Sequence, residues 1–481
     1  MSRSTVKVLS GIFMVAVFSL FVLYRLPDLA YRIATSKAEN VSSTLQPWLA
    51  THSMPASRSC ECDPRSVRLK DHIPKEQFDQ VSERRKEELE KHKKRTSPEL
   101  SKLLLAPANS PLQYPIQGVT VPPLKERLIP GLALHAGGRS RYKVTLKVSR
   151  GIFSTNTVLF PEEVTVQGNQ EANFTVESTS LQLLNSVLAS VSYKSTVYHV
   201  HTGDLASFSF ENHEATFPIV IKRPQLPVLF DMGTDINSQV TITTKTFLRY
   251  NNLKVLLSSI RKFYPTVTVI IADDSLEPEK ITGDNIQHYI MPPAQGWFAG
   301  RNLAVSQVTT KYFLWVDDDF VFTKNTMMEK LVEVMEAAPY LDVVGGSVQG
   351  NMFHFSLEYD EGDEAEGGCL TRKSTGKFHA LPGYPQCFLS DGVVNFFLAR
   401  TDSVQKARFD PLLKRVAHSE WFMDGLGSLM VASCAHVQIG HQPKTLTKDY
   451  NKYRYPNDAS DKTFKLQHHY FKNYLKCIMY G

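Results

Sequence analysis

Tyr312-Phe313-Leu314-Trp315-Val316-Asp317-Asp318-Asp319-Phe320 is an apolar run that ends abruptly in three consecutive carboxylates. The run has the length of a buried strand. Three adjacent negative charges repel one another, and a structural role would need only one of them. A hard divalent cation, bound through one or two carboxylates and completed by diphosphate oxygens, accounts for the cluster. Outward from this stretch the pattern repeats. Val240 to Thr244 is strand-like and is followed by Leu253, Leu256, Leu257 and Ile260 at helical spacing. Val267 to Ile271 is the next apolar run, and beyond the carboxylates come a helical stretch, Asn325 to Glu336, and another strand, Leu341 to Val344. Strands alternating with helices predict an α/β domain with a largely parallel sheet, in which ligands bind beyond the carboxyl ends of the strands.

Other candidate residues fall at comparable places. Asp273 and Asp274 directly follow the strand ending in Ile271 and can accept hydrogen bonds from a ribose or a base, although a turn or N-cap aspartate would look the same. Thr244 closes the first strand-like run and is grouped with them. Gly296-Trp297-Phe298-Ala299-Gly300-Arg301-Asn302 places glycines before a helix and an arginine near its start, a cradle suited to a diphosphate. His418-Ser419-Glu420-Trp421-Phe422-Met423-Asp424 sets Glu420 and Asp424 one helical turn apart on the same face. A displacement reaction needs a base opposite the leaving group, and Glu420 is the first candidate with Asp424 in reserve. His441 follows an apolar run and could reach the metal from a late strand.

The 481 residues exceed one ordinary domain, and the net charge of +6 comes from dispersed Lys and Arg, which argues against nucleic-acid binding. Residues 1–7 read as a cytoplasmic tail. Val8 to Tyr24 carries no charge, is flanked by Arg3, Lys7 and Arg25, and lacks a small-residue cleavage site, so 8–24 reads as an uncleaved transmembrane signal anchor. Two glycosylation tripeptides, at Asn40 and Asn173, and six cysteines place the remainder in an oxidising lumen. Residues 25–102 read as a stalk, with Glu76 to Arg95 as a solvated helix. Residues 103–227 alternate with period two, as in Tyr142 to Val148, Val164 to Val166 and Thr216 to Ile221, which predicts a β-sandwich-like domain. Residues 228–481 are then the catalytic domain. Cys387 and Cys434 both lie inside it and form the expected internal bridge. Cys60 and Cys62 are too close to pair with each other comfortably and need distant partners, for which Cys369 and Cys477 remain.

The blocks VTITTKTFLRY, FYPTVTVIIADDS, GWFAGRNLAVSQVTTKYFLWVDDDFVF, SDGVVNFFLARTD and FDPLLKRVAHSEWFMDGLGS resemble the β-1,4-N-acetylgalactosaminyltransferases, and the likeness runs from about Leu103 to Cys477. The resemblance implies a GT-A (Rossmann-like) fold, UDP-GalNAc as donor, Mn2+ as cation, inversion at the anomeric carbon and a single-pass type II Golgi membrane topology. It carries the metal motif onto Asp317 to Asp319, the uridine-site acidic pair onto Asp273 and Asp274, the diphosphate-side pair onto Arg301 and Asn302, and an HxE…D pattern onto His418, Glu420 and Asp424. It also implies disulfide-linked homodimers, which the stalk cysteines could tether. The acceptor expected within the family is a sialylated lactosylceramide-type glycolipid. A sialylated galactose on glycoprotein glycans is the nearest alternative, and an inactive glycan-binding scaffold is the alternative from another class.

Overall fold

The computed structural model describes residues 60–96, 105–156, 163–199, 202–414, 418–443, 450, 453 and 460–481. The expected anchor at 8–24 and the sequon at Asn40 lie outside them. Among the described residues no helix is long and apolar enough to cross a membrane. The chain divides into Met1–Glu61 with Asp360–Asp363, and Cys62–Tyr359 with Glu364–Gly481. The second unit holds the elements that position the candidate site.

The sheet at its centre follows from the sequence pattern. Val240–Thr246, Val269–Asp273 and Tyr312–Trp315 are buried at every position, as strands covered on both faces must be. They run parallel, with Val269–Asp273 and Tyr312–Trp315 on either side of Val240–Thr246 and Ile286–Ile290 beyond Val269–Asp273. Phe397–Arg400 enters antiparallel beside Tyr312–Trp315, followed by Val343–Val348 and Val431–His441. Alternate side chains feed two cores. Ile242, Ile271 and Leu314 pack with Leu253, Leu256, Leu257 and Ile260 of helix Tyr250–Phe263. Ile270, Phe313 and Trp315 pack on the other face with Phe298, Ala304 and Trp421. Each of these buried large side chains contributes about 1.5–3 kcal/mol. The order of strands reverses at Val240–Thr246, and the crevice of such a sheet opens there, beyond the carboxyl ends.

Ahead of this domain, six strands in the order Val119–Val121, His213–Ile221, Thr202–Phe210, Tyr142–Lys147, Asn173–Ser178 and Val164–Gln167 form one sheet. Glu126–Leu128, Ser192–Ser195 and Gly151–Ser154 form a second. Phe153 and Tyr193 of the smaller sheet share a core with Leu146, Phe174 and Phe208 of the larger one. A buried carboxylate, Asp204, joins them by accepting from the Tyr193 hydroxyl at 2.9 Å.

The described part of the expected stalk is not a free spacer. Val67–Arg68 adds antiparallel to Leu475–Tyr480, which itself pairs parallel with Gly367–Lys373. Leu69 is fully buried in the second core. Helix Phe78–Thr96 is mostly exposed, as its composition requires, but Arg85 is buried, donates to the Glu366 and Leu475 carbonyls, and lies between the Tyr470 and Tyr474 rings at 3.9 and 4.0 Å. The few apolar residues of this segment gave no sign that one arginine would anchor it. Cys62 bonds to Cys477 within the chain, Cys387 bonds to Cys434 as expected, and no cysteine is free.

Candidate active site

The strand Tyr312–Trp315 delivers the three aspartates to the crevice, and the backbone's alternation sorts them. Asp317 and Asp319 line a cavity of about 210 Å³. Asp318 turns inward, where it accepts from Thr246 Oγ1 at 2.9 Å and pairs with Arg249. Arg249 also donates to Asp319 Oδ2 at 2.7 Å, so one guanidinium holds two of the three carboxylates. Asp317 Oδ1 accepts from Trp315 Nε1 at 3.1 Å and its Oδ2 from Asn395 Nδ2 at 3.3 Å. Burial pushes the Asp317 carboxyl up to about 7, with Arg301 opposing the rise and Asp319 adding to it. Asp318 is pushed up to about 6, again chiefly by burial, against the opposing charge of Arg249. The cluster is short of positive charge.

His441 stands where the sequence suggested. Phe320 pairs with His441 across the antiparallel strands, which brings His441 Nε2 to 3.5 Å from Asp319 Oδ2. Its Nδ1 lies 2.5 Å from the Gln442 carbonyl, which can only accept, so Nδ1 carries a hydrogen and Nε2 is the nitrogen directed at Asp319. Asp317 lines the same cavity as this pair. This mixed oxygen and imidazole set suits a divalent transition-metal cation such as Mn2+.

Arg301 is wholly buried, with its guanidinium 4.4 Å from the Trp315 ring centre. It donates to Asn395 Oδ1 at 2.7 Å, while Nε and Nη1 have no partner. Burial lowers its pKa to about 10, which leaves it charged at neutral pH. The helix it rides on, Trp297–Ser306, is less of a cradle than expected. The Gly296 N–H is spent on Asp274 Oδ2 at 2.8 Å and the Phe298 N–H on the Lys414 carbonyl. The anion-seeking group is therefore the Arg301 side chain. Asn302 does not face the cavity. Both ends of its amide bond the Phe409 backbone, at 2.6 and 2.9 Å. Gly300 has a steric role, since a Cβ there would come within 2.5 Å of Lys245 Cγ.

Asp273 and Asp274 form a buried layer under the crevice. Asp273 accepts from Tyr250 Oη at 2.6 Å and the Ser275 N–H at 2.9 Å, with His288 Nε2 at 3.0 Å. Asp274 pairs with Lys245 at 2.5 Å. Thr244 is buried within its strand, its hydroxyl without a partner.

Helix His418–Asp424 departs most from expectation. Of its polar residues His418 lines the cavity, with Nε2 2.5 Å from the Val393 carbonyl and burial lowering its pKa to about 4. Glu420 and Asp424 point instead to helix Ser460–Lys472. Glu420 is 2 % exposed, pairs with Lys465 at 2.7 Å and lies 3.8 Å from His469 Nε2. Burial opposes its charge, but His469 and Lys465 outweigh that and hold the carboxyl below its ordinary range. Asp424 pairs with Lys472 at 2.7 Å. Arg249, Trp297 and Asn395 also line the cavity. They lie inside the quoted blocks, but nothing in spacing or composition distinguished them.

The model for Glycosyl transferase family 2 matches residues 241–394, the stretch that carries the carboxylates. The Mus musculus protein Beta-1,4 N-acetylgalactosaminyltransferase 2 is 46% identical over 433 residues, covering 87% of this chain and 84% of the relative. The Homo sapiens protein Beta-1,4 N-acetylgalactosaminyltransferase 1 is 46% identical over 422 residues, covering 83% and 78%. Among solved structures, S. aureus TarS 1-349 in complex with UDP-GlcNAc is 13% identical with a TM-score of 0.31, over 48% of this chain and 73% of that one. GalNAc-T7 with UDP, GalNAc and Mn2+ is 10% identical with a TM-score of 0.33, over 50% and 55%. At those scores neither structure bears on the site.

Proposed function

The chain belongs to the β-1,4 N-acetylgalactosaminyltransferase family, and from that premise we propose that it transfers GalNAc from UDP-GalNAc, with inversion, to the galactose of a sialylated lactosylceramide-type acceptor. The observation that carries the reading is the opposition in one cavity of Asp317, Asp319 and His441 to the unpartnered nitrogens of Arg301. The first set suits a cation, the second a diphosphate. A divalent cation such as Mn2+, bound by Asp317, Asp319 and His441, would neutralise the leaving diphosphate. Arg249 keeps Asp318 and Asp319 in place, and Trp297 and Phe298 supply the apolar part of the cavity lining. The acceptor hydroxyl would lose its proton to one of two side chains of helix His418–Asp424, the His418 ring or the Glu420 carboxylate. There His418 borders the cavity, and Glu420 must first exchange Lys465 for the acceptor. Comparing Glu420→Gln with His418→Gln in turnover assays, with donor binding measured separately, decides between them.

A glycoprotein acceptor is the second reading, because the donor-side residues would hold the same UDP-GalNAc for either acceptor. Incubating the ectodomain with UDP-GalNAc and a panel of sialylated lipids and glycoproteins tests both. Transfer to neither class would overturn the assignment. The proposed setting is the Golgi lumen behind the 8–24 anchor, supported by two intrachain disulfides and by the exposed Asn173. A linked homodimer would use the Cys62 and Cys477 pair exchanged between chains. Non-reducing electrophoresis should then show a doubled mass that a Cys62→Ser variant abolishes.

A further inference from the structure

A closed ring of contacts surrounds the cavity floor. Arg301 lies over Trp315, and the Trp315 indole N–H donates to Asp317 Oδ1. Asp317 Oδ2 accepts from Asn395 Nδ2, and Asn395 Oδ1 accepts from Arg301 Nη2. The orientation of the Asn395 amide is fixed by its neighbours, because a guanidinium only donates and must meet the oxygen. Its backbone is fixed as well. The next residue, Phe396, is fully buried, and its carbonyl accepts from the Gly346 N–H at 2.9 Å.

Without the amide between them, two opposite charges in this ring would collapse together. Arg301 Nη2 and Asp317 Oδ1 are 4.0 Å apart, at the edge of ion-pair range, and both side chains are nearly shielded from water. A direct bidentate pair is the preferred state of a buried arginine and carboxylate. It would consume the nitrogens that suit a diphosphate and the oxygens that suit a cation. We propose that Asn395 is a positioning residue that bridges Arg301 to Asp317 and keeps them from pairing directly, so that one remains available to the diphosphate and the other to the divalent cation. This rests on the assignment of the cavity to a nucleotide sugar and a cation. An amide is the side chain for the task, since it satisfies one charge with its oxygen and the other with its nitrogen while adding no charge.

The test is binding, with Mn2+ alone followed by electron paramagnetic resonance of the free ion, and UDP alone followed by titration calorimetry. Asn395→Ala should weaken both at least about tenfold while melting within a few degrees of the unsubstituted protein. In Asn395→Ala/Asp317→Asn the carboxylate that captures Arg301 is gone, so UDP affinity should return to within about threefold of the unsubstituted value, with Mn2+ binding still lost. Asn395→Asp, which changes no shape, should weaken UDP binding by neutralising Arg301 without weakening Mn2+. Loss of both ligands in Asn395→Ala with no recovery of UDP in the double variant would overturn the proposal, as would affinities unchanged in Asn395→Ala. If Asn395→Ala does not fold, the opposite responses of Asn395→Asp to the two ligands decide alone, and parallel losses there reject the bridge. An unsubstituted protein that binds neither ligand would instead reject the cavity assignment itself.

Discussion

Two buried carboxylate sites in this chain differ in how completely the protein satisfies them. In the β-rich region Asp204 accepts from the Ser149 N–H and hydroxyl, the Arg150 N–H and the Tyr193 hydroxyl, at 2.7–3.1 Å. Its oxygens are fully occupied by neutral and backbone donors. In the α/β domain Asp317 has two donors, Asp319 shares one arginine with Asp318 and lies 3.5 Å from His441 Nε2, and burial pushes two of the three carboxyls up. The first arrangement needs nothing further. The second becomes complete only when positive charge arrives, and that distinguishes a site from a brace.

The contrast is most directly broken at its two extremes. Asp319→Ala should reduce transfer by about a thousandfold or more, with a melting temperature within a few degrees of the parent, because Arg249 keeps its pairing with Asp318. Activity that survives this change, or survives excess EDTA, would erase the distinction. Asp204→Ala should do the opposite. It strands a buried hydroxyl and two N–H groups and should cost about 3–5 kcal/mol of stability, read as a fall in denaturation midpoint, while the KM for UDP-GalNAc in the remaining folded protein stays unchanged. Glu420→Gln sharpens the middle ground, since Glu420 is buried and paired yet lies on the helix that borders the cavity. A fall in turnover of about 100-fold at preserved donor affinity would mark a base, whereas a stability loss shared with Lys465→Met would mark a brace like Asp204. The smallest effect concerns Asp410. Burial opposes its ionisation, but Lys472, His468 and the Leu412 N–H hold its pKa at about 2. Because the folded value lies below the ordinary one of about 3.9, its contribution is complete above about pH 4 and is lost as pH falls toward 2. Asp410→Asn should therefore lower stability at neutral pH, where that contribution is complete, and flatten the dependence on pH between about 4 and 2, where the unsubstituted protein loses it.

The parts of the molecule legible in the sequence are those governed by local rules. Apolar runs marked Val269–Asp273 and Tyr312–Trp315, the β-branched stretch from Val240 marked the strand between them, and the leucines of Tyr250–Phe263 announced their helix by spacing alone. Of the aspartates after such strands, Asp317 and Asp319 reach the cavity, while Asp273, Asp274 and Asp318 turn into the buried layer beneath it. Residues whose meaning depends on distant partners were not legible. Glu420 looked like a base because Lys465, which holds it, lies on a helix much later in the chain. Asn302 looked like a ligand contact because its true partner, the Phe409 backbone, is invisible to spacing. Arg249 and Asn395 carry no motif at all. The two-residue strand Val67–Arg68 is too short to show a period, so a structural edge read as stalk.

The two disulfides of this unit also differ in when they can close. Cys387 and Cys434 are 47 residues apart, a stretch that a ribosome adds in roughly 2–9 s at about 5–20 residues per second. Cys62 must wait for a partner 415 residues downstream, roughly 20–80 s at the same speed. Throughout that interval it lacks its native partner while standing beside Cys60, in the oxidising lumen proposed above, and the strand Val67–Arg68 has no neighbour to pair with, because Leu475–Tyr480 has not been made. Early mispairing of these thiols, and dependence on an isomerase to undo it, is therefore built into the order of synthesis.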